Sequence, residues 1–120
     1  MNNNPEYIET AALENGEIKK LEAGGRKVIL ARTADTYYAA DARCTHLGGD
    51  LSKGRLEGHI ITCPVHGSRF DLRDGSVVRW TNWPRLLSKL SKVIKSEKPL
   101  VTHKVELRDD TVLIEINHGS

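Results

Sequence analysis

The feature that most restricts the fold of this chain is a pair of short segments, each holding one cysteine and one histidine. The first reads Cys44-Thr45-His46, and the second, after sixteen intervening residues, reads Cys63-Pro64-Val65-His66. Glycine follows closely in both, which lets the backbone turn tightly and point N–H groups inward. Two thiolates and two imidazoles can complete a four-ligand metal site. A fold for this chain must therefore bring two turns together.

Zinc is one candidate for such a set of donors. Two cysteines and two histidines do hold tetrahedral zinc, but zinc fingers usually take both cysteines from one turn and both histidines from another. Here each turn supplies one of each. A mixed pair on each turn is expected where two loops hold two irons, with the cysteines on one iron and the histidines on the other. At this point both metals remain open.

The segments C-T-H-L-G-G and C-P-V-H-G-S-R-F-D resemble the paired cluster loops of Rieske [2Fe–2S] proteins, over residues 44–71. The resemblance implies an all-β fold, a stack of small antiparallel sheets with the cluster in a subdomain. It also implies one [2Fe–2S] cluster per chain, with the two cysteines on the buried iron and the two histidines on the outer iron. The ligands would be Cys44, His46, Cys63 and His66. The residues expected around the cluster are Leu47, Gly48, Gly67, Ser68 and Phe70.

The same resemblance bears on the reduction potential. Respiratory members of the family carry an extra cysteine in each loop, and the matching positions here are Gly49 and Val65. The disulfide of those proteins therefore cannot form. In the family, a serine and a tyrosine after the second histidine donate hydrogen bonds to cluster sulfurs. Here Ser68 keeps its hydroxyl and Phe70 has none, which favours a ferredoxin-type cluster of low potential.

Apolar alternation in short stretches, separated by glycine and aspartate turns, predicts β-hairpins on both sides of the two segments. The clearest hairpin joins residues 100–107 to residues 111–116. One stretch instead predicts a helix, over 84–98. It contains no glycine, its apolar residues recur at helical spacing, and proline stands in its first turn and just after its end.

These patterns predict a single domain over residues 1–120. A cluster-binding subdomain would occupy about 41–79, and the helical insert about 80–98. Small ferredoxins of the family that the loops resemble usually have a shorter, proline-containing segment in place of this insert. The remaining histidines, His59, His103 and His118, are expected at the surface.

The net charge is +2, from 18 Lys and Arg against 16 Asp and Glu, which is too balanced to indicate a nucleic-acid partner. Residues 79–98 differ, with six cations and one acid. The polar face of the predicted helix would carry Arg85, Lys89, Lys92 and Lys95, and could dock an acidic partner surface.

No apolar run approaches the roughly 20 residues of a membrane span. The first residues, 1–9, lack the basic and then apolar pattern of a secretory signal. We therefore expect a cytoplasmic, reducing location, where two cysteines favour a metal role over a disulfide.

Together these features predict a soluble one-electron carrier that accepts an electron from a reductase and passes it to a terminal enzyme, such as a Rieske-type oxygenase. The chain is not expected to be an enzyme, because no nucleophile–base pair or phosphate loop is present, and 120 residues leave no room for an oxygenase catalytic domain. Two alternatives remain. One is a small subunit of a larger reductase, similar to the nitrite reductase small subunit, although those chains typically lack the ligands. The other is a non-redox, zinc-binding interaction module.

Overall fold

The computed structural model describes residues 6–23, 25–45, 48–65, 67–79 and 98–117. Within these residues the secondary structure is almost entirely β. The strands are Tyr7–Ala11 (β1), Ile18–Ala23 (β2), Arg26–Thr33 (β3), Thr36–Asp41 (β4), Arg55–Glu57 (β5), Ile60–Thr62 (β6), Arg69–Asp71 (β7), Val77–Arg79 (β8), Thr102–Arg108 (β9) and Thr111–Glu115 (β10). The described part of the chain has one helical element, the 3₁₀ turn Leu51–Lys53.

The strands form two antiparallel sheets. The larger has six strands in the order β1-β10-β9-β4-β3-β2, and the smaller has four in the order β5-β6-β7-β8. The two halves of the larger sheet meet where β4 pairs with β9, at Ala39 opposite His103 and Ala40 opposite Thr102. The prediction of an all-β fold built from antiparallel sheets is confirmed.

Strand β3 explains how one chain builds two cores. Successive side chains of a strand point to opposite faces of its sheet. In β3, Ile29 and Ala31 enter one core, while Val28 and Leu30 enter the other, and all four are fully buried. The second core lies against the returning hairpin β9–β10. The first core reaches the smaller sheet and includes both cysteines, together with Ala40, Ala42, Leu51, Ile61, Phe70, Leu72 and Leu100.

A glycine fastens the smaller sheet to the start of the last hairpin. The carbonyl of Gly75 accepts a hydrogen bond of 2.8 Å from the N–H of Leu100. Its φ is +82°, and a Cβ at this position would collide with the carbonyl oxygen of Leu100. Only glycine combines this left-handed conformation with so close an approach of two backbones.

The predicted helix over 84–98 lies outside the described residues, apart from Lys98, which has irregular backbone. The structure therefore gives this helix no support. His118 also lies outside the described residues. The part of the chain that is described contains no helix long and apolar enough to cross a membrane.

Candidate metal centre

The first cysteine opens a loop, residues 44–49, that is closed by two backbone hydrogen bonds. The carbonyl of Cys44 accepts from the N–H of Gly48 at 2.9 Å, and the N–H of Cys44 donates to the carbonyl of Gly49 at 2.8 Å. Gly48 has a φ of +73°, a conformation that side chains with a Cβ rarely adopt. The backbone can therefore curl back on the cysteine within six residues.

The second cysteine opens a loop, residues 63–68, with the same two bonds at the same spacing. The carbonyl of Cys63 accepts from the N–H of Gly67 at 3.1 Å, and the N–H of Cys63 donates to the carbonyl of Ser68 at 2.7 Å. Gly67 has a φ of +74°. Each cysteine thus occupies the first position of an equivalent backbone turn.

The two loops are in contact with each other. A Cβ built on Gly49 of the first loop would lie 2.5 Å from Sγ of Cys63 and 3.4 Å from Cβ of Val65 in the second. The second separation is close to the roughly 3.5–4.5 Å between the Cβ atoms of a disulfide. Positions 49 and 65 therefore face each other, but neither residue carries sulfur. The two cysteines of the chain, both among the described residues, do not form a disulfide.

Both cysteines are 3% exposed and belong to the same apolar core. Cys44 follows the end of β4, and Cys63 follows β6, so the larger and the smaller sheet each supply one sulfur. Two thiol groups on matching turns, in contact through one glycine, fit thiolate ligation of a single metal ion, whether iron or zinc.

The predicted histidine ligands His46 and His66, and the predicted neighbour Leu47, lie outside the described residues. Among the residues that are described, no three His, Cys, Asp or Glu side chains converge on one point. Of the other predicted neighbours, Ser68 and Phe70 are fully buried. Phe70 stands in β7, opposite Ile61 of β6.

A partly buried polar network, which no pattern in the sequence indicates, lies at the entrance to the first loop. Asp41 ends β4, three residues before the cysteine. Its Oδ1 accepts from Nε2 of His103 at 3.0 Å, and Arg26 donates to both of its oxygens at 3.1 Å. The backbone N–H of Asn117 donates to Nδ1 of the same imidazole at 2.9 Å. These partners fix a neutral ring with its proton on Nε2.

The expectation that His103 is at the surface is wrong, since its side chain is fully buried. It points inward because β9 places it opposite Ala39, where its two ring nitrogens find an acceptor and a donor. Burial alone would raise the pKa of Asp41, but the hydrogen bonds from His103 and Arg26 outweigh it and hold that pKa below its usual value. The network fixes the chain where it enters the first loop.

A buried carboxylate lies in the smaller sheet. Asp71 ends β7, and Arg73 donates to it through its side chain at 2.8 Å and through its backbone N–H at 2.9 Å. The side-chain hydrogen bond from Arg73 holds the pKa of Asp71 well below its usual range. Nδ1 of His59 lies 3.1 Å from the same carboxylate. The side chain of His59, which was expected at the surface, is 38% exposed.

Replacing Asp41 by Asn should lower the free energy of unfolding at pH 7 by about 1–3 kcal/mol, because the buried His103 and the half-buried Arg26 lose a charged acceptor. The pKa of Asp41 is depressed in the folded protein, so its contribution is complete above its unfolded pKa of about 3.9 and is lost as the pH falls through the folded value. The difference in the free energy of unfolding between Asp41→Asn and wild type should therefore shrink as the pH falls from about 5 through the folded pKa of Asp41. Urea unfolding across this range measures it.

The matched control is Asp35→Asn, the same change of side chain in the exposed β3–β4 turn. It should alter the unfolding free energy by less than about 0.5 kcal/mol at any of these pH values. An Asp41→Asn protein as stable as this control at pH 7 would contradict the role given to the network.

Residues 5–96 match the protein family described as Rieske [2Fe-2S] domain. The ferredoxin component of the naphthalene 1,2-dioxygenase/salicylate 5-hydroxylase systems of Ralstonia sp. is 29% identical over 113 residues. The match covers 92% of this chain and 95% of that protein. Apoptosis-inducing factor 3 of Mus musculus is 34% identical over 90 residues, or 75% of this chain. The chain spans only 14% of the length of that relative.

Among solved structures, a complex of reduced oxygenase and oxidized ferredoxin in carbazole 1,9a-dioxygenase contains a chain similar to this one. The two superpose with a TM-score of 0.73 at 26% identity, over 91% of this chain and 92% of that one. The ferredoxin of carbazole 1,9a-dioxygenase from Nocardioides aromaticivorans IC177 has the same fold, with a TM-score of 0.70 over 92% of this chain and 95% of that one, at 22% identity.

Proposed function

We propose, because this chain belongs to the Rieske [2Fe–2S] domain family, that it carries single electrons from a reductase to a terminal oxygenase and transforms no substrate itself. The observation that carries this proposal is the pair of equivalent cysteine loops in contact through Gly49. The ferredoxin component from Ralstonia sp., which this chain matches over nearly its whole length, supports the same conclusion.

The residues of the two loops fit the [2Fe–2S] cluster of the family. We assign Cys44 and Cys63 as ligands of one iron, and His46 and His66 as ligands of the other. The cluster supplies a site that takes up and releases one electron, at a potential raised by neutral imidazoles in place of two thiolates. The chain's own groups bury the thiolates in an apolar core and hold each loop by its backbone hydrogen bonds.

The proposal also covers the domain boundaries, the inserted segment and the cellular location. Residues 1–120 would form one domain, with the cluster-binding subdomain at about 41–79 and an inserted segment at about 80–98. That insert would be an amphipathic helix over 84–98, and the basic residues of 85–98 would face an acidic partner surface. A cytoplasmic location would keep the cysteines reduced for cluster assembly.

Stopped-flow spectroscopy with an oxygenase tests the proposed function. The protein is reduced with dithionite, separated from the excess, and mixed with the oxidised oxygenase component of a carbazole 1,9a-dioxygenase system. We expect reversible uptake of one electron per chain, followed by reoxidation of this protein as the oxygenase is reduced. A protein that takes up no electron would contradict the proposal.

Replacing His46 or His66 by Cys should lower the reduction potential by something on the order of 100 mV where a cluster is still assembled. The physical reason is that a thiolate adds a negative charge that a neutral imidazole does not, and so disfavours the reduced state. Controlled-potential titration measures the shift. His59→Cys, which puts the same residue beside Asp71, is the matched control and should leave the potential unchanged.

One observation supports a second candidate function. The relative named apoptosis-inducing factor 3 is several times longer than the part that this chain matches. A domain of this family can therefore serve inside a larger protein, and this chain could deliver electrons within an assembly with a larger reductase subunit. Stable co-purification with such a subunit would favour this role, and metal analysis would distinguish either redox role from a zinc-binding module.

A further inference from the structure

A cavity of about 670 Å³ lies beside the first loop. It is bordered by the hairpin β2–β3, by the end of β4 and by the loop itself. Its charged lining is mainly cationic. The four cations that line it are Lys20, Arg26, Lys27 and Arg43.

Two of the four cations are already neutralised by carboxylates of the same lining. Lys20 lies 2.8 Å from Asp50, and Arg26 is bonded to Asp41. Among the described residues, no carboxylate lies within 4.0 Å of Lys27 or Arg43, and both side chains belong to exposed residues. We call these two residues the basic rim. The rim therefore presents two positive charges to solvent.

The basic rim is close to the cysteine loops. A Cβ built on Gly48 would lie 3.0 Å from the guanidinium of Arg43, and one built on Gly49 would lie 2.5 Å from Sγ of Cys63. Since consecutive Cα atoms are about 3.8 Å apart, the guanidinium lies within about 12 Å of that sulfur. Lys27 is next to the same loop, because its carbonyl accepts from the N–H of Ala42 at 3.0 Å.

The hairpin β9–β10 of the larger sheet carries the opposite net charge. The hairpin β9–β10 has two cations, Lys104 and Arg108, and more acids than cations. Its acidic residues are Glu106, Asp109, Asp110 and Glu115. The positive charge of the basic rim therefore belongs to the face beside the first loop and is not shared by this hairpin, and such a local charge attracts an oppositely charged partner.

We infer that the basic rim docks a carboxylate-bearing surface of the redox partner. This inference rests on the proposed electron-carrier function and adds a contact outside segment 85–98. Arg43 can bind a carboxylate with two parallel hydrogen bonds, and Lys27 adds a point charge beside it. A partner held by these two side chains sits directly on the first loop, which shortens the path of the electron.

The test uses two double variants of the holoprotein that change the net charge equally. Lys27→Glu/Arg43→Glu reverses the charge of the basic rim, and Lys104→Glu/Arg108→Glu reverses the charge of the two cations in the hairpin β9–β10. Both are titrated by calorimetry with a capped hexaglutamate peptide at about 10 mM ionic strength, where the Debye length is about 30 Å. We expect binding to wild type and to the hairpin variant, and at least about tenfold weaker binding to the rim variant.

A kinetic measurement then asks whether this contact serves electron transfer. The reduced protein is mixed with hexacyanoferrate(III), which takes one electron to become hexacyanoferrate(II) while the protein returns to its oxidised form. The rim variant should react about tenfold or more slowly than wild type at low salt, and the hairpin variant should be affected less. Hexaglutamate should inhibit the wild-type reaction but not that of the rim variant.

The sign of the effect separates docking from a change in potential. Added negative charge near the cluster lowers its potential, and this alone would make the reduced protein react faster. A slower reaction therefore reports lost docking. Because Arg43 contacts the first loop, Lys27→Glu alone is measured as well, and should show a weaker effect in the same direction.

Equal decreases in peptide affinity and oxidation rate in the rim and hairpin variants would overturn the inference, because the change in net charge alone would then explain the result in both variants. Unchanged peptide binding in the rim variant, or unchanged oxidation rates despite lost peptide binding, would also overturn it. Peptide binding does not require a cluster. A protein that binds the peptide at the rim but takes up no electron would contradict the proposed function instead.

Discussion

Cys44→Ser and Cys63→Ser proteins are expected to be purified without visible colour and with almost no bound iron. A serine hydroxyl remains protonated at neutral pH and is a poor substitute for a soft thiolate. Metal affinity should fall by more than the factor of about 10 to 100 that is typical when a residue hydrogen-bonded to a ligand is removed. Iron and sulfide analysis of anaerobically purified protein, with the visible spectrum, measures it.

The control for these variants is Val65→Ser, which introduces the same hydroxyl two residues from Cys63. Val65 is 52% exposed, so its replacement removes little packing. We expect iron content and colour close to those of wild type. Full iron content in either cysteine variant would show that the cysteine concerned is not a ligand.

The second large effect is expected from a single added methyl group, in Gly49→Ala. The new Cβ would lie 2.5 Å from Sγ of Cys63 and 2.7 Å from Cγ2 of Val65, so one of the two loops must move. Overpacking of this kind costs about 1–3 kcal/mol. Because the atom displaced is a proposed ligand, cluster content should fall more sharply than stability does. Iron content and thermal unfolding of the same preparation measure both.

Gly58→Ala is the matched control for the added methyl group. Gly58 has a φ of +60°, but a Cβ there meets nothing within 4 Å. The change should cost about 1–2 kcal/mol of backbone strain and leave the iron content per folded chain intact. Equal iron content in the two alanine variants would contradict the idea that Gly49 leaves space for the Cys63 sulfur.

Much of the larger sheet could be predicted from the sequence. The short apolar stretches between glycine and aspartate turns predicted hairpins on both sides of the cysteine segments, where β2–β4 and β9–β10 lie. The hairpin that joins residues 100–107 to 111–116 has its turn where expected. The strands β5 and β7 were not predicted. Each has three residues, which is too short for an alternating pattern to stand out, and each exists because β6 pairs with it on either side.

The site was predictable only in part. The cysteines could be chosen from their spacing, but the matching hydrogen bonds of the two loops are a property of the folded backbone. The network around Asp41 joins the strands β3, β4 and β9. Two of its members, Asp41 and His103, are more than sixty residues apart in the sequence. No local pattern reveals such a contact, so His103 was wrongly expected at the surface.

Optical and EPR spectra of the freshly purified protein, recorded before and after dithionite, show directly whether the two loops hold a Rieske [2Fe–2S] cluster. We expect a red-brown protein that bleaches on reduction and then gives a rhombic EPR signal of low average g. A colourless protein that contains zinc after anaerobic purification, and has no EPR signal on reduction, would contradict the presence of this cluster.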